Sequence, residues 1–551
     1  GSRVFALWIQ NVHNVSHLPG EPPAPAAFRA DMLGNFVWKF SDDRGETWSA
    51  RHYTIPVPYT YIESVNSFSK AKNGTGDVQI MWEVDHLKTL KDGTLIFAFT
   101  KIGTYAVAAP EELFILASSN LLTEEDPDKV VWDMWPHGEH GIMATDHPDD
   151  PTVVAEEPHV VPVHSDDMLT LFWRTTQGYM GHATSQRGGP AQFAKPWATS
   201  TFASYLPTWA DGYQNASWLK HPRGPLSPKR QDNGQVLMTY YNTAPLGAAF
   251  THLKISDRNM MWLTAGHDVA EGLCWTQPEL ILYERQRDRG HGYPDIVAAK
   301  SGETYITETF KASPQSEAKT HKVPKAMLAL LYRQTSLNET ATDGVVASFD
   351  GKTVVALNDA AGALPDFQTY PKDRYGFSVD IWLDATYATQ EQTVLLGASS
   401  SAAAAAAAAA VGGASDGDGD THTGVSISYF SSNGTVMVDM VDTMGSRVRF
   451  GTDPVCSQWL KDGQQSTHHV GVLVDAGPKM IAFVVDGKLC DGGPDLKTWA
   501  NGHHLFDLAF GDVGGATTGS VRVATDMVVG GRWYDRVLYV TEMIGNWRAG
   551  K

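Results

Sequence analysis

The sequence predicts an all-β protein in which a β-propeller is followed by a β-sandwich. Short runs of β-branched and aromatic residues recur along the chain and follow turn dipeptides such as Asp92-Gly93 and Asn233-Gly234, a pattern typical of β-hairpins. Long stretches of helical periodicity are scarce, and repeated strand units punctuated by glycine and aromatic residues favour a propeller. At roughly 50–60 residues per repeat, residues 1–345 favour six blades and also allow seven. The clearest runs are residues 94–100 (TLIFAFT), 169–174 (LTLFWR), 236–241 (VLMTYY) and 303–309 (ETYITET).

The chain is long and acidic. Its 551 residues, 42% of them hydrophobic, exceed one ordinary domain of roughly 100–200 residues. The 43 Lys and Arg residues against 62 Asp and Glu residues give a net charge of −19. This charge argues against a nucleic-acid partner, because neutralising phosphates requires a basic surface. No run of about 18 apolar residues occurs, so we expect no membrane span, and we interpret the alanine tract at 402–410 as a loop.

One turn has a specific signature. Residues 41–48 read SDDRGETW and fit the pattern S-x-D-x-G-x-T-W. In such a hairpin the aspartate accepts backbone N–H groups, the glycine takes a positive φ, and the tryptophan packs under the turn. This motif resembles the Asp-box of the sialidase superfamily. Degenerate copies begin at Ser185 and at Ser256, and the latter runs through Asp257-Arg258 to Trp262.

A second β-rich region begins near Tyr375. The segments HHVGVLVDAGPKMIAFVVDGKLC and GGRWYDRVLYVTE resemble strands of laminin-G or concanavalin A-like sandwiches. We therefore expect a propeller over residues 1–345, a linker over 346–364 and a sandwich over 365–551. Sandwiches of this kind bind glycans, bind proteins or brace a catalytic domain.

Cysteine and acidic residues give weak signals for cross-links and metals. Three cysteines exclude a disulfide-built scaffold, although Cys456 and Cys490 flank one segment and could pair. We interpret the acidic cluster at 416, 418 and 420 as a solvated loop. We predict no required cofactor and allow a structural calcium ion.

The resemblance to sialidases implies a set of site residues in chain order. In the stretch Glu156-Glu157-Pro158-His159, Glu157 would be the general base, and Arg174, which ends the following apolar strand, would bind a substrate carboxylate. In the stretch HGYPDI, Tyr293 would be the nucleophile, with Pro294 where sialidases have serine.

Further candidates surround these residues. Arg223, held between Pro222 and Gly224, would supply a second guanidinium. Arg29 and Asp31 precede the Asp-box, where sialidases place a substrate-binding arginine and the general acid. The remaining predicted substrate-binding residues are His291 and Tyr179.

These residues imply a sialidase-like exo-glycosidase that removes a terminal sugar from an acidic oligosaccharide or polysaccharide. A sialic acid carries a carboxylate on its anomeric carbon and would repel a carboxylate nucleophile. A phenol activated by a glutamate is neutral and avoids that repulsion. Arginines would bind the carboxylate in bidentate fashion.

The sequence lacks the Arg-Ile-Pro motif of sialidases, so two alternatives stay open. One is a polysaccharide lyase acting on uronates of the rhamnose-glucuronate or ulvan type. In it, arginines neutralise the uronate, and His86 acts with Tyr105, Tyr179 or Tyr293 in β-elimination. The other is a non-catalytic glycan-binding protein.

We expect the protein to be secreted. Five N-x-S/T sequons are compatible with a glycoprotein. The chain begins Gly1-Ser2 with no signal peptide, which we interpret as the loss of a targeting segment that preceded it. The sequons begin at Asn14, Asn73, Asn215, Asn338 and Asn433.

Overall fold

The computed structural model divides the chain into two compact units. The first comprises Gly1–Trp275 and Arg287–Lys322, and the second comprises Thr276–Gln286 and Val323–Lys551. The structure describes residues 3–10, 34–65, 79–102, 111–143, 155–174, 180–185, 198–199, 221, 224–242, 258–269, 272–284, 289–312, 315–357, 376–388, 390–399, 424–441, 446–454, 459, 467–475, 477, 480–491, 504–505 and 519–551.

The first unit is a series of antiparallel sheets in chain order. Strands of successive sheets contact one another, β6 with β10, β10 with β14, and β14 with β19, as in a propeller. The described residues thus account for five blades, and the count of six or seven stays a prediction. The sheets are β1 (Val4–Gln10), β2 (Asn35–Ser41), β3 (Tyr53–Thr54); β4 (Met81–Trp82), β5 (Lys88–Thr89), β6 (Leu95–Ile102), β7 (Glu111–Ser118), β8 (Asp133–Trp135), β9 (Ile142–Met143); β10 (Glu156–Val163), β11 (Met168–Arg174), β12 (Met180–Thr184), β13 (Ala198–Thr199); β14 (Ser227–Arg230), β15 (Val236–Tyr240), β16 (Met260–Val269), β17 (Gly272–Trp275); and β19 (Gly290–Ala298), β20 (Thr304–Ala312), β21 (Gln315–Lys322).

Central strands of the blades are buried on both faces because each sheet packs between two neighbours. Every residue of β6 and of β11 is buried, which explains why their sequences read as near-continuous apolar runs. One core joins the first and second sheets through side chains such as Trp38 and Phe97. Another joins the second and third sheets through Ile115 and Leu171. A single helix, α1 (Tyr61–Val65), is described in this unit.

The turn at 41–48 is held by the side chains that the sequence pattern singles out. Asp43 accepts hydrogen bonds from the Thr47 amide (2.8 Å) and the Thr47 hydroxyl (2.5 Å), and Ser41 Oγ accepts from the Gly45 amide (2.7 Å). The hydrogen bonds from Thr47 and Ser41 lower the pKa of Asp43 to about 2. Trp48 differs from the prediction, because its side chain lies beside Gly45 but stays 40% exposed. The short turn offers it no covering element.

The second unit is a β-sandwich with two helices. Its two sheets enclose one core, to which β24, β26, β29 and β33 each contribute alternate buried residues. The predicted fold class, a propeller followed by a sandwich, is thereby confirmed. The helices are α2 (Lys325–Arg333) and α3 (Val540–Ala549). β18 (Glu279–Tyr283) also falls in this unit but belongs to neither sandwich sheet. The strands of the two sheets are β22 (Val345–Phe349), β23 (Val354–Leu357), β24 (Phe377–Asp384), β25 (Gln392–Ser399), β26 (Gly424–Phe430), β27 (Thr435–Val441), β28 (Arg447–Gly451), β29 (Thr467–Asp475), β30 (Met480–Val485), β31 (Lys488–Leu489), β32 (His504–Leu505), β33 (Gly519–Val523) and β34 (Val528–Tyr534).

Much of the segment expected to be a linker belongs to the sandwich sheets. β22 pairs with β34 in one sheet, and β23 pairs with β33 in the other. Their partner strands lie near the end of the chain, so this pairing is a long-range contact that local composition does not reveal. The domain bounds given above stay a prediction. Within the described residues, no helix has the length and apolar character needed to cross a membrane.

Gly376 tests how tightly the sandwich is packed. It has a φ of +97°, and a Cβ atom there would lie 1.9 Å from the Val474 carbonyl oxygen. We expect Gly376→Ala to lower the free energy of unfolding by about 3 kcal/mol or more, because strain and overlap add. Gly351 has a φ of +69° and open space, so Gly351→Ala should cost about 1 kcal/mol. Denaturant unfolding followed by circular dichroism measures both, and equal losses would contradict the packing argument.

Candidate active site

Two inner strands carry the same local irregularity. The pairing of β10 with β11 shifts between Glu156 and His159, and the pairing of β19 with β20 shifts between Gly292 and Asp295. In each case a residue and its following proline oppose a single residue of the partner strand, and the pairs are Glu157-Pro158 and Tyr293-Pro294. Proline has no N–H to give to the ladder, so the strand bulges there. Glu157 (φ +53°) and Tyr293 (φ +46°) consequently adopt left-handed backbone conformations, which are rare outside glycine and concentrate at functional sites.

The two bulges bring a phenol and a carboxylate together. Tyr293 Oη donates a hydrogen bond of 2.9 Å to Glu157 Oε1. Glu157 is 1% exposed, whereas Tyr293 is 37% exposed, so the tyrosine presents itself to solvent with the glutamate behind it. Burial, together with the adjacent Glu157 carboxylate, raises the pKa of Tyr293 to about 12. The phenol is therefore neutral at ordinary pH, and Glu157 is placed to take its proton.

Arg174 holds the carboxylates in place. Its Nη1 lies 2.5 Å from Glu157 Oε1, and its Nη2 lies 2.8 Å from Glu156 Oε2. All three side chains are at least nine-tenths buried, which excludes the interpretation of either glutamate as a solvated loop acid. Burial alone would lower the pKa of Arg174, but the two glutamates raise it above its ordinary value. Arg174 thus forms an ion pair with Glu157. Its predicted role in binding a substrate carboxylate stays a prediction.

Two further side chains complete this cluster. Trp82 Nε1 donates a hydrogen bond of 3.3 Å to Glu157 Oε1. Arg258 lies beside the strand of Tyr293, with Nη1 placed 3.5 Å from where a Gly292 Cβ atom would be, and its charge acts to lower the pKa of Tyr293. Sequence reasoning gave neither residue a role. In the sequence, Arg258 stands out only as part of the degenerate turn motif that begins at Ser256.

A second group of polar residues joins three blades at Asp295. His86 Nε2, from the segment between β4 and β5, lies 3.0 Å from Asp295 Oδ1, and Lys229 Nζ of β14 lies 3.3 Å from the same oxygen. Each side chain is about one-third exposed. Burial alone would raise the pKa of Asp295, but His86 and Lys229 bring it below its ordinary value. The predicted residue His86 thus contacts the carboxylate of Asp295, and Asp295 lies two residues after Tyr293 in β19.

The segment around His86 also contains two further carboxyl groups, of which Asp85 is buried. Asp85 accepts hydrogen bonds from the amides of Ala98 (2.9 Å) and Val160 (3.2 Å), and it contacts Lys88 and His159. Burial would raise the pKa of Asp85, but these partners hold it well below its usual range.

Glu83 behaves in the opposite way. Although part of it stays exposed, burial and the nearby Asp85 raise its pKa to about 8. Glu83 therefore keeps a proton at neutral pH, which sequence reasoning did not anticipate.

His291 is buried in a network of its own. Its Nδ1 lies 2.8 Å from Glu308 Oε2, and His321 Nε2 lies 2.7 Å from Glu308 Oε1. The other ring nitrogen, His291 Nε2, has no hydrogen-bond partner among the described residues. The predicted substrate-binding role of His291 stays a prediction, limited to that nitrogen.

Several predicted residues lie outside the described residues. One of them is Arg223. The nearby His221 is described and fully buried, with Nε2 2.6 Å from the Gly224 carbonyl oxygen, and burial lowers the pKa of His221 to about 4. Among the described residues, no group of three or more His, Cys, Asp or Glu side chains is arranged to hold a metal ion. The predicted residues that are not described are Arg223, Arg29, Asp31, Tyr179, Tyr105, Cys456 and the aspartates at 416, 418 and 420.

Comparison with known proteins identifies no family. No family model matches the sequence, and no curated protein matches it. Solved structures do show similarity. NanB sialidase of Streptococcus pneumoniae is 15% identical with a TM-score of 0.32, over 52% of this chain and 35% of that chain, so the match spans about a third of that sialidase.

Two other similar structures are glycosidases of fungi. The α-L-arabinofuranosidase Arb93A of Fusarium graminearum is 10% identical with a TM-score of 0.31, over 54% of this chain and 68% of that chain. The exo-inulinase of Aspergillus awamori is 9% identical with a TM-score of 0.28, over 98% and 94%. Similarity at this level says nothing of the activity of this chain.

The contacts of Asp85 predict a pH-dependent contribution to stability. Because its pKa is lower in the folded state, the contribution is present above the unfolded pKa of about 3.9 and is lost as the pH falls below it. We expect Asp85→Asn to cost about 3 kcal/mol at pH 7, because it leaves Lys88 and His159 without a buried anion. The difference from the wild type should shrink below about pH 4. Thermal unfolding across pH measures this, with Asp128→Asn on the surface as a nearly silent control. A loss independent of pH would contradict the ionised state assigned to Asp85.

Proposed function

We propose that this protein is a sialidase-type glycoside hydrolase that uses Tyr293 as nucleophile and Glu157 as its base. The hydrogen bond between the exposed Tyr293 hydroxyl and the buried Glu157 carboxylate carries this proposal. A tyrosine paired with a carboxylate base has the arrangement of an activated nucleophile, and a phenol suits an anomeric carbon that bears a negative carboxylate.

The reaction proceeds in two balanced steps. Tyr293 Oη attacks the anomeric carbon, its proton passes to Glu157, and the glycosidic C–O bond breaks as an acid protonates the leaving oxygen. Water then attacks the same carbon, gives its proton to the conjugate base of that acid, and displaces Tyr293, which recovers its proton from Glu157. Two displacements retain the configuration of the sugar. The sequence resemblance assigns the acid to Asp31, and Glu83 is a described carboxyl group that keeps a proton at neutral pH.

The charges of the described cluster set a condition on the substrate. Glu156 and Glu157 balance Arg174 and Arg258, so the cluster is neutral as a whole. A carboxylate-bearing sugar therefore needs further cations, and Arg29 and Arg223 are the residues that we propose for this purpose. We also propose that the protein is secreted, on the basis of its sequons.

Removal of the nucleophile is the most direct test. Tyr293→Phe should lower kcat for release of sialic acid from sialyl-lactose by at least about a thousandfold, because phenylalanine offers no attacking oxygen. Glu157→Gln should also remove most of the activity, since the amide cannot accept the proton. Release of free sialic acid is measured directly, and circular dichroism verifies folding of each variant.

The same blade provides a matched control. Tyr305 Oη donates a 2.8 Å hydrogen bond to Glu303, outside the cluster, so Tyr305→Phe removes an equivalent contact. It should leave kcat unchanged. Equal losses in Tyr305→Phe and Tyr293→Phe, or full activity in Tyr293→Phe, would exclude the proposed nucleophile.

A polysaccharide lyase is the second candidate, and the 3.0 Å contact between His86 Nε2 and Asp295 Oδ1 favours it. A histidine oriented by a carboxylate is a suitable base for the C5 proton of a uronate. Elimination breaks the C4–O bond and forms a C4–C5 double bond, which absorbs in the ultraviolet.

The two reactions respond differently to the loss of His86. A lyase should lose at least about a hundredfold in rate in His86→Ala, because general base catalysis contributes about that much or more. The hydrolase should keep its turnover in His86→Ala and lose it in Tyr293→Phe. Parallel assays with sialyl-lactose and rhamnosyl-glucuronate oligosaccharides distinguish free sugar from unsaturated uronate. If no acidic glycan gives a product, the remaining hypothesis is a non-catalytic glycan-binding protein.

A further inference from the structure

One face of the sandwich carries a row of residues, most of them polar, that runs across five adjacent strands. Strand pairing aligns Arg522 of β33 with Gly397 of β25, Gly397 with Ser426 of β26, Ser426 with Asp439 of β27, and Asp439 with Arg449 of β28. The residues that flank this row in the strands, such as Val521, Ile427 and Val438, lie in the core. Because side chains alternate between faces, the row lies on the outer face of the six-stranded sheet.

One end of the row is cationic and contains two arginines, each of which uses its Nε atom to contact Asp439. Asp439 accepts hydrogen bonds from Arg447 Nε (2.9 Å) and Arg449 Nε (2.9 Å to each oxygen), and it is almost fully buried beneath them. The two arginine side chains are 46% and 37% exposed. Their terminal Nη atoms donate to no group among the described residues. One carboxylate thus orients two guanidinium groups without occupying the ends that bind carboxylates in bidentate fashion.

The charge of this face differs in sign from that of the chain. Arg447, Arg449 and Arg522 against Asp439 give a local charge of +2, in a protein whose net charge is −19. Gly397 and Ser426 leave the middle of the row low, because neither has a bulky side chain. Four spacings of about 4.8 Å separate Arg522 from Arg449, so the row is about 19 Å long. It therefore exceeds the length of a single sugar.

We propose that this outer face, defined by Arg522, Gly397, Ser426, Asp439, Arg447 and Arg449, binds a carboxylate-bearing polysaccharide. The guanidinium groups pair with carboxylates of the chain, and Ser426 offers a hydroxyl group to sugar hydroxyls. Charge complementarity selects an anionic chain, and the length of the row selects a polymer. This binding is independent of catalysis by the first unit.

Affinity electrophoresis of the full-length protein tests the proposal. Polygalacturonate in the gel should retard the wild type, while neutral dextran should not, and added salt should weaken the retardation. Arg447→Ala combined with Arg449→Ala should raise the dissociation constant for polygalacturonate at least about tenfold, because two charge-assisted contacts are lost. Arg333→Ala removes an exposed arginine that pairs with Glu339 in the same unit, and it should bind like the wild type.

The activity of the first unit provides an independent readout. The double variant should turn over a short substrate at the wild-type rate, so a loss confined to polymer binding locates the effect in the sandwich. Wild-type affinity in the double variant, equal retardation by dextran, an equal loss in Arg333→Ala, or no retardation by polygalacturonate would each overturn the proposal. An inactive first unit would refute the proposed hydrolase and leave this binding result unaffected.

Discussion

The hydrogen bond from Tyr293 to Glu157 requires a buried carboxylate next to an exposed phenol, and the surrounding residues make this arrangement possible. A buried anion is costly unless it is paired and hydrogen-bonded. Arg174 and Trp82 provide the pairing and a second donor, so Glu157 can stay almost fully covered. The phenol is then the exposed end of the group. Its pKa of about 12 keeps it neutral at ordinary pH, and the Glu157 carboxylate lies within hydrogen-bonding distance of its hydroxyl group.

The backbone achieves this by the same means in two blades. A residue-proline pair interrupts the ladder of β10 and of β19, and in each bulge the residue before the proline adopts a positive φ. Proline disfavours the α region for that residue, and the ladder can pair neither residue in register. The resulting conformations cost energy, and the well-packed strands β11 and β20 on the other side of each ladder hold them in place. Substituting serine for Pro294 would restore the missing amide, so the proline is part of how this chain positions its tyrosine.

Sequence reasoning singled out three residues that the structure brings together and missed several of their contacts, for a physical reason. Glu157, Arg174 and Tyr293 lie in local patterns, a strand start, a strand end and a residue-proline bulge, that can be read along the chain. Contacts between blades bring four further residues to this region, namely Trp82, Lys229, Asp295 and Arg258. The bond from Trp82 to Glu157 spans 75 residues and that from Tyr293 spans 136, distances over which composition carries no information. The strands β22 and β23 were assigned to a linker for the same reason, since their partners lie near the end of the chain.

The two units use arginine in different ways. In the first unit, Arg174 is buried and pairs with two glutamates, so it fixes the position of the Glu157 carboxylate. In the second unit, Arg447 and Arg449 share one carboxylate through Nε, and their side chains stay partly exposed. The first arrangement favours precise positioning, because a buried guanidinium with two partners has a single geometry. The second favours recognition, because an oriented but solvated guanidinium can exchange water for an incoming anion at little desolvation cost. The buried arginine therefore fixes the geometry of a carboxylate cluster, whereas the exposed arginines belong to the surface that we propose for binding.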